Sequence, residues 1–389
     1  MTKKINVLKP YFRIEECITE IRECLELGWS GMGFKTERME TAWKEYTRLP
    51  HAHFLNSNTA GLHLAFHIFK KQFGWANQDE IITTPLTFVS TNHAILYENL
   101  KPIFADVDDT LCLDPADVEK KITEKTKAII FVGVGGNVGQ YEAIKTLAKR
   151  YHLKLILDAA HMAGTYYHGQ HVGHDADVAV FSFQAVKNLP TADAGMICFR
   201  EVEFDRLARQ LSWLGINVDT YTRAVDDNYK WRYEVEQVGF KYHGNSIMAA
   251  LALVGLKYLD QDNAYRRQLA NGYRKALQNI PAIQFIQQVD GCESATHLFQ
   301  IVVENRQALL NALYAQNIYP GVHYRDNTEY APYKTDAIFC PQANELSKKL
   351  LTLPLHLALT EEDINRVAQA IHKFYTASES PALSEMTLS

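Results

Sequence analysis

Leu155-Ile-Leu-Asp-Ala-Ala-His161, followed by Val178-Ala-Val-Phe-Ser-Phe-Gln-Ala-Val-Lys187-Asn-Leu189, is the stretch that decides the fold. Each half opens with an apolar run that ends in a polar residue. Leu153 to Leu157 reads as a buried parallel strand delivering Asp158 at its carboxyl end. Val178 to Phe183 reads as a second, delivering Ser182, with Lys187 one short turn beyond. Open α/β sheets bind ligands outside the carboxyl ends of such strands. A carboxylate, a hydroxyl and a lysine converging there suit a phosphorylated, nitrogen-containing cofactor held as a Schiff base.

The flanking chain alternates strand and helix. Strands are expected at His53–Ser57, Glu80–Thr84, Pro102–Asp106, Ala128–Val132 and Gly195–Phe199, with helices at Asn58–Phe69, Val89–Tyr97 and Tyr141–Tyr151. Such alternation specifies a mostly parallel sheet between helices. Two further helical patterns, Arg13–Leu27 and Glu37–Tyr46, flank a glycine-rich loop at Gly28–Gly33, and Arg206–Tyr233 shows no clean period and reads as an irregular excursion. The expected divisions are a large cofactor-binding domain over 1–245, connecting helices over 246–280, and a small α+β domain over 281–377. A disordered tail over 378–389 completes them. Thr360-Glu-Glu-Asp363 is a capping-box start for a last helix running to about Tyr375.

The chain has 389 residues, 47% hydrophobic and 22% charged, with a net charge of −5. That is ordinary globular composition without the basic footprint of a nucleic-acid binder. Six scattered cysteines form no C-x-x-C pair, as expected of free thiols in a reducing compartment. Neither a secretory h-region nor a membrane-length apolar run is seen. A cytoplasmic protein, touching neither nucleic acid nor membrane, is the expectation.

Ser57-Asn-Thr-Ala60 lies where a strand turns into a helix. Free amides of a first helical turn, with the Ser57 and Thr59 hydroxyls, make a phosphate cradle, though an ordinary N-cap has the same signature. Asp158, beyond capping the next turn, suits a pyridine nitrogen that must stay protonated. Lys187 in apolar surroundings suits an imine-forming amine of lowered pKa. Val132-Gly-Val-Gly-Gly-Asn-Val-Gly139 competes as a dinucleotide fingerprint, but read from Gly133 its last position is Val138. A nicotinamide dehydrogenase would leave Ser57–Ala60 and Lys187 without a role, so it ranks second. His63 and His67 are four apart, but Leu64 stands where H-E-x-x-H needs its glutamate, and no metal site is expected. Lys241-Tyr-His-Gly-Asn245 opens a long helix, either as a cap through Asn245 or as a set of phosphate donors.

Thr84-Pro-Leu-Thr-Phe-Val-Ser-Thr91, Lys101-Pro-Ile-Phe-Ala-Asp-Val-Asp108, Asp158-Ala-Ala-His161 and Phe181-Ser-Phe-Gln-Ala-Val-Lys187-Asn188 together resemble the DegT-type nucleotide-sugar aminotransferases. These are fold type I pyridoxal-phosphate enzymes. The resemblance implies that Lys187 carries the cofactor and shuttles the proton. It implies Asp158 at the pyridine nitrogen, His161 by the ring, Phe88 stacked on it, and Thr59, Ser182 and the amides of Asn58 to Ala60 on the phosphate. Lys241, His243 and Asn245 would reach that phosphate from a second subunit of a homodimer. Met32, Gly33, His323 and Tyr324 would contact substrate. The implied reaction moves an amino group, from glutamate, to a nucleoside-diphosphate-linked keto sugar, first of all C4 of a 4-keto-6-deoxyhexose, with C3 amination next. A cofactor-binding regulator without turnover is the remaining class. This chain departs from the family at Asn58, where glycine is common, and at Ala192-Asp-Ala-Gly195, which replaces a glycine pair.

Overall fold

The computed structural model describes residues 3–225, 232–334 and 339–379. Seven strands build its central sheet: β1 (His53–Leu55), β2 (Glu80–Thr83), β3 (Lys101–Phe104), β4 (Thr126–Val132), β5 (Lys154–Asp158), β6 (Val178–Ser182) and β7 (Gly195–Phe199). Their order is β1-β7-β6-β5-β4-β2-β3. The strands from β6 to β3 run parallel, whereas β7 is antiparallel to both neighbours. The reversal follows from the connection: no helix lies between Ser182 and Gly195 to carry the chain back across the sheet, so it returns as a hairpin-like partner.

The strands read as unbroken apolar runs because both faces are covered. Ile129, Phe131, Leu155, Leu157 and Phe181 enter one core with Met39 and Trp43. The alternate residues Ala128, Ile130, Ile156, Val178 and Val180 enter another with Leu62, Phe66 and Phe69. The last three belong to α1 (Asn58–Phe73), a helix opened by the Ser57 cap and closed by Gly74 at φ 62°. Register then sets the site. Leu55, Gly195 and Ser182 lie side by side, and Asp158 pairs with Val132 and Val180.

The expected excursion at 206–233 is corrected over two parts, its start and Thr220–Val225, which is a short helix. Val202–Ser212 forms a helix, α2, burying Phe204, Ala208 and Leu211 with Glu203 and Asp205 in its first turn. A window opening at Arg206 drops Phe204 and with it the period. Residues 226–231 of that excursion lie outside the described residues. Helices α3 (Ser246–Leu256) and α4 (Leu259–Leu277) lead to a three-stranded antiparallel sheet of β8 (Ile283–Phe285), β9 (Phe299–Val303) and β10 (Leu350–Leu353). Its core joins Leu269 and Tyr273 of α4 to Ile301, Leu353, Val367 and Ile371. Ile5, grouped above with 1–245, sits in this second core and pairs with Ile318. The last helix spans Glu361–Glu379, passing Tyr375. Thr360 and Asp363 exchange the reciprocal bonds of a capping box at its start. The tail expected from 378 begins inside this helix, and its residues 380–389 lie outside the described ones.

Candidate active site

A cavity of about 650 Å³ opens beyond the carboxyl ends of β5 and β6, walled on its far side by His297 and residues 322–325. Asp158 closes its floor, 3% exposed. One carboxylate oxygen accepts from Thr91 Oγ1 at 2.7 Å; the other accepts from Asn58 Nδ2 at 3.3 Å and the Ala160 amide at 3.2 Å. Burial raises its pKa, and the Thr91 bond leads the opposing contributions. Among the described residues no cation lies within ion-pair distance of Asp158. A buried carboxylate held by three donors yet unpaired in charge calls for a cation in the cavity, and a protonated ring nitrogen is one.

Lys187 is placed by turns after β6. Its amide donates to Gln184 O at 2.8 Å, the Val186 amide donates to Gln184 Oε1 at 3.0 Å, and the Phe183 amide donates to Ala194 O at 2.8 Å. The amine stands in the cavity wall, crowded by protein yet reached from the cavity. Burial lowers its pKa to about 8, with the charge of Asp158 opposing the shift. An amine with that pKa is neutral often enough near pH 7 to attack a carbonyl.

At the other end, the first turn of α1 and Ser182 both line the cavity. Ser57 Oγ accepts from the Ala60 amide at 3.0 Å, leaving the Asn58 and Thr59 amides ahead of it. Those amides and the helix dipole favour an anion there, and Ser182 adds a hydroxyl already bonded by the Gln184 amide at 3.4 Å. A Cβ on Gly195 would lie 2.6 Å from the Asn58 nitrogen, so only glycine lets β7 pass so close behind the turn. Asn58 turns its side chain inward, to Asp158 and to Val180 O at 2.9 Å. This chain thereby ties its phosphate end to its carboxylate end. Cation-seeking floor, low-pKa amine and anion cradle together fit pyridoxal phosphate.

His161 stands beside this set. The Gly135 amide donates to its Nδ1 at 3.1 Å, so Nε2 carries the proton and donates to Tyr324 Oη at 3.0 Å. The glycine loop read above as a near-miss fingerprint therefore has a different task. It forms a 3-10 turn at Val134–Gly136 that orients His161, and a Cβ on Gly133 would strike Met162 Sδ at 2.1 Å. Phe88, 58% exposed, lies at the mouth with its ring 6.1 Å from that of Tyr324. His323 bonds Thr352 Oγ1 at 3.0 Å through Nδ1.

One chain thus brings together Asn58, Thr59, Phe88, Asp158, His161, Ser182, Lys187, His323 and Tyr324, with Ala60 beside them on the cap. It does not bring the other expected residues there. Met32 and Gly33 line a separate cavity of about 580 Å³ with Glu37, Arg206 and Trp213. Lys241 places its ammonium 3.4 Å from the Trp213 ring centre, and His243 packs on the same ring. Asn245 caps α3 by accepting from the Met248 amide at 2.9 Å. His63 and His67 both bond Glu98 Oε1 at 2.9 Å, as packing groups. Sequence reading missed Gln184, His297, Arg325 and Tyr330 on the cavity wall, and missed what Thr91 does. Thr91 was quoted within a motif; its position one helical turn after Phe88 was the available signal.

Comparison with known proteins agrees. The aminotransferase TlmJ from Streptoalloteichus hindustanus superposes with a TM-score of 0.89 at 28% identity, over 97% of this chain and 100% of that one. PseC from Helicobacter pylori, an aminotransferase involved in the biosynthesis of pseudoaminic acid, gives 0.89 at 25% identity, over 96% and 100%. A Streptococcus pneumoniae protein described as a sugar aminotransferase, solved in its PLP form, gives 0.88 at 27%, over 97% and 99%. The DegT/DnrJ/EryC1/StrS aminotransferase family model matches residues 13–372. The chain belongs to that family, as a fold type I, pyridoxal-phosphate-dependent sugar aminotransferase.

Proposed function

We propose that this enzyme moves an amino group from glutamate to C4 of a nucleoside-diphosphate-linked 4-keto-6-deoxyhexose. The observation that carries the reading is the pairing, in one cavity, of the charge-unpaired Asp158 with the low-pKa Lys187. Bound there, pyridoxal phosphate supplies an electron sink for the carbon that gains or loses nitrogen. Asp158 keeps the ring nitrogen protonated. Lys187 would carry the cofactor and, with its amine free, would move the proton as general base and then general acid. Thr59, Ser182 and the first amides of α1 hold the phosphate. His323 and Tyr324 face the sugar, and Arg325, at the rim with Tyr330, suits the diphosphate.

The phosphate end of a single chain has neither Lys241, His243 nor Asn245 in its wall. We assign its closure to Lys241, His243 and Asn245 of a second copy, and the added substrate contacts to Met32 and Gly33, so that a homodimer holds two composite sites. Cytoplasmic residence fits the six free cysteines. The test is an absorption spectrum of the purified protein with cofactor, before and after glutamate, followed by a panel of keto-sugar nucleotides. A cofactor band that shifts with glutamate, and turnover of a 4-keto substrate with release of 2-oxoglutarate, are expected. Turnover of only 3-keto substrates would overturn the position; no band at all would overturn the role of Lys187.

A further inference from the structure

Arg325 lines the active-site cavity with its side chain 57% exposed, yet it is held at three points. Its carbonyl accepts from Asn327 Nδ2 at 3.3 Å. Asn327 is fully buried. Its amide donates to Pro85 O at 2.8 Å, Nδ2 also donates to Thr87 O at 2.7 Å, and Oδ1 accepts from Asn92 Nδ2 at 3.0 Å. Backbone carbonyls only accept, so the Asn327 side chain has one orientation and ties Arg325 to the loop that carries Phe88. On the side chain, Arg325 Nε donates to Glu329 Oε2 at 2.6 Å, and the guanidinium carbon lies 5.1 Å from the centre of the Tyr330 ring. An exposed ion pair of this kind adds little to folding stability; what it fixes is the guanidinium. Both Nη groups are left without a hydrogen bond among the described residues, a fork suited to a carboxylate or a phosphate.

The rest of the wall offers an anion little positive charge. Burial pushes the pKa of His161 and His297 well below the usual 6.5 and that of His323 to about 4, with the charge of Lys187 adding to each shift. Among the described residues, the cations that line the cavity in one chain are therefore Lys187 and Arg325, and Lys187 is assigned to the cofactor. Both proposed substrates bring an anion, at a similar distance from the carbon that exchanges nitrogen. In extended glutamate the side-chain carboxyl carbon lies about 4 Å from the α carbon; in a 4-keto hexose the first phosphorus, joined through the oxygen on C1, lies about 5 Å from C4. One cavity serves the two half-reactions in turn, so the two anions never need it together.

We propose that Arg325 is a specificity-determining residue shared by both substrates, its free guanidinium nitrogens binding the side-chain carboxylate of the amino donor and then the diphosphate of the sugar acceptor. This rests on the reading of the substrates given above. The first test compares glutamate with norvaline, which has a methyl where glutamate has its side-chain carboxylate, in converting the cofactor-loaded protein, followed by absorbance. Wild type should favour glutamate by about 100-fold, and Arg325→Gln should cut that ratio at least about tenfold. The second is titration calorimetry of the loaded protein with glutarate and with uridine, thymidine and guanosine diphosphates. Glutarate and the nucleotide that binds should displace one another, and Arg325→Gln should weaken each at least about tenfold. An unchanged glutamate-to-norvaline ratio in Arg325→Gln, or glutarate and nucleotide bound side by side, overturns the proposal while leaving the substrates as read. No conversion by glutamate and no nucleotide binding in wild type overturns the reading of the substrates, and the proposal with it.

Discussion

An amine that condenses with a carbonyl must be neutral part of the time, and at Lys187 burial arranges this. Its pKa of about 8 lies below the usual 10.5, so between those values the unfolded chain binds a proton that the folded chain does not. Folding stability due to this group therefore rises with pH across that window and is lowest below pH 8. The unfolding free energy of cofactor-free wild type, relative to Lys187→Met, should rise by about 3 kcal/mol from pH 8 to pH 10.5. Chemical denaturation at a series of pH values checks this, and a flat difference would contradict the lowered pKa. The same variant should lose turnover entirely. Asp158→Asn can keep its oxygen on the Asn58 and Ala160 donors and turn its NH2 to the Thr91 hydroxyl, which can accept, and so should fold, but it cannot hold a ring proton; a loss of about 100-fold in kcat is expected from steady-state assays.

At the level of elements, the site is an accident of register turned to use: strands of unequal length end level with one another, and one helix begins where they stop. Ser57→Ala removes the cap of α1 at a cost of about 1 kcal/mol. It should also weaken cofactor binding, because the cradle amides lose their anchor; thermal unfolding and equilibrium dialysis against the cofactor check the two effects. The strands were readable in the sequence because both faces are covered, so that Ala128–Val132 and Val178–Phe181 carry no polar break. The direction of β7 was not readable, since an apolar run is the same forwards and backwards. Asp158, Ser182 and Lys187 were legible as polar residues ending such runs. His297 was not, because the group that holds its ring is Asn188, which only the assembled fold brings beside it.

For the whole molecule, the decisive expectation is that neither copy holds a complete site. Mixing inactive Lys187→Ala protein with Lys241→Ala/His243→Ala protein, under conditions that exchange subunits, should restore activity. A random mixture makes about half hybrid dimers, each with one intact site, which sets the recovery near a quarter of wild type if the double variant contributes nothing. No recovery after verified exchange would place the site within one chain. The segment concerned is already seated before any partner arrives. The Asn56 amide donates to Tyr242 O at 2.8 Å, the Gly244 amide donates to Phe54 O at 2.9 Å, and His243 bridges Leu55, so that 242–244 run as an added ribbon along the sheet's β1 edge. Its conformational entropy is lost when the monomer folds rather than when two monomers meet. In the proposed homodimer, association would bring together two rigid surfaces, and subunit encounter should proceed without the slow ordering step that a flexible arm would impose.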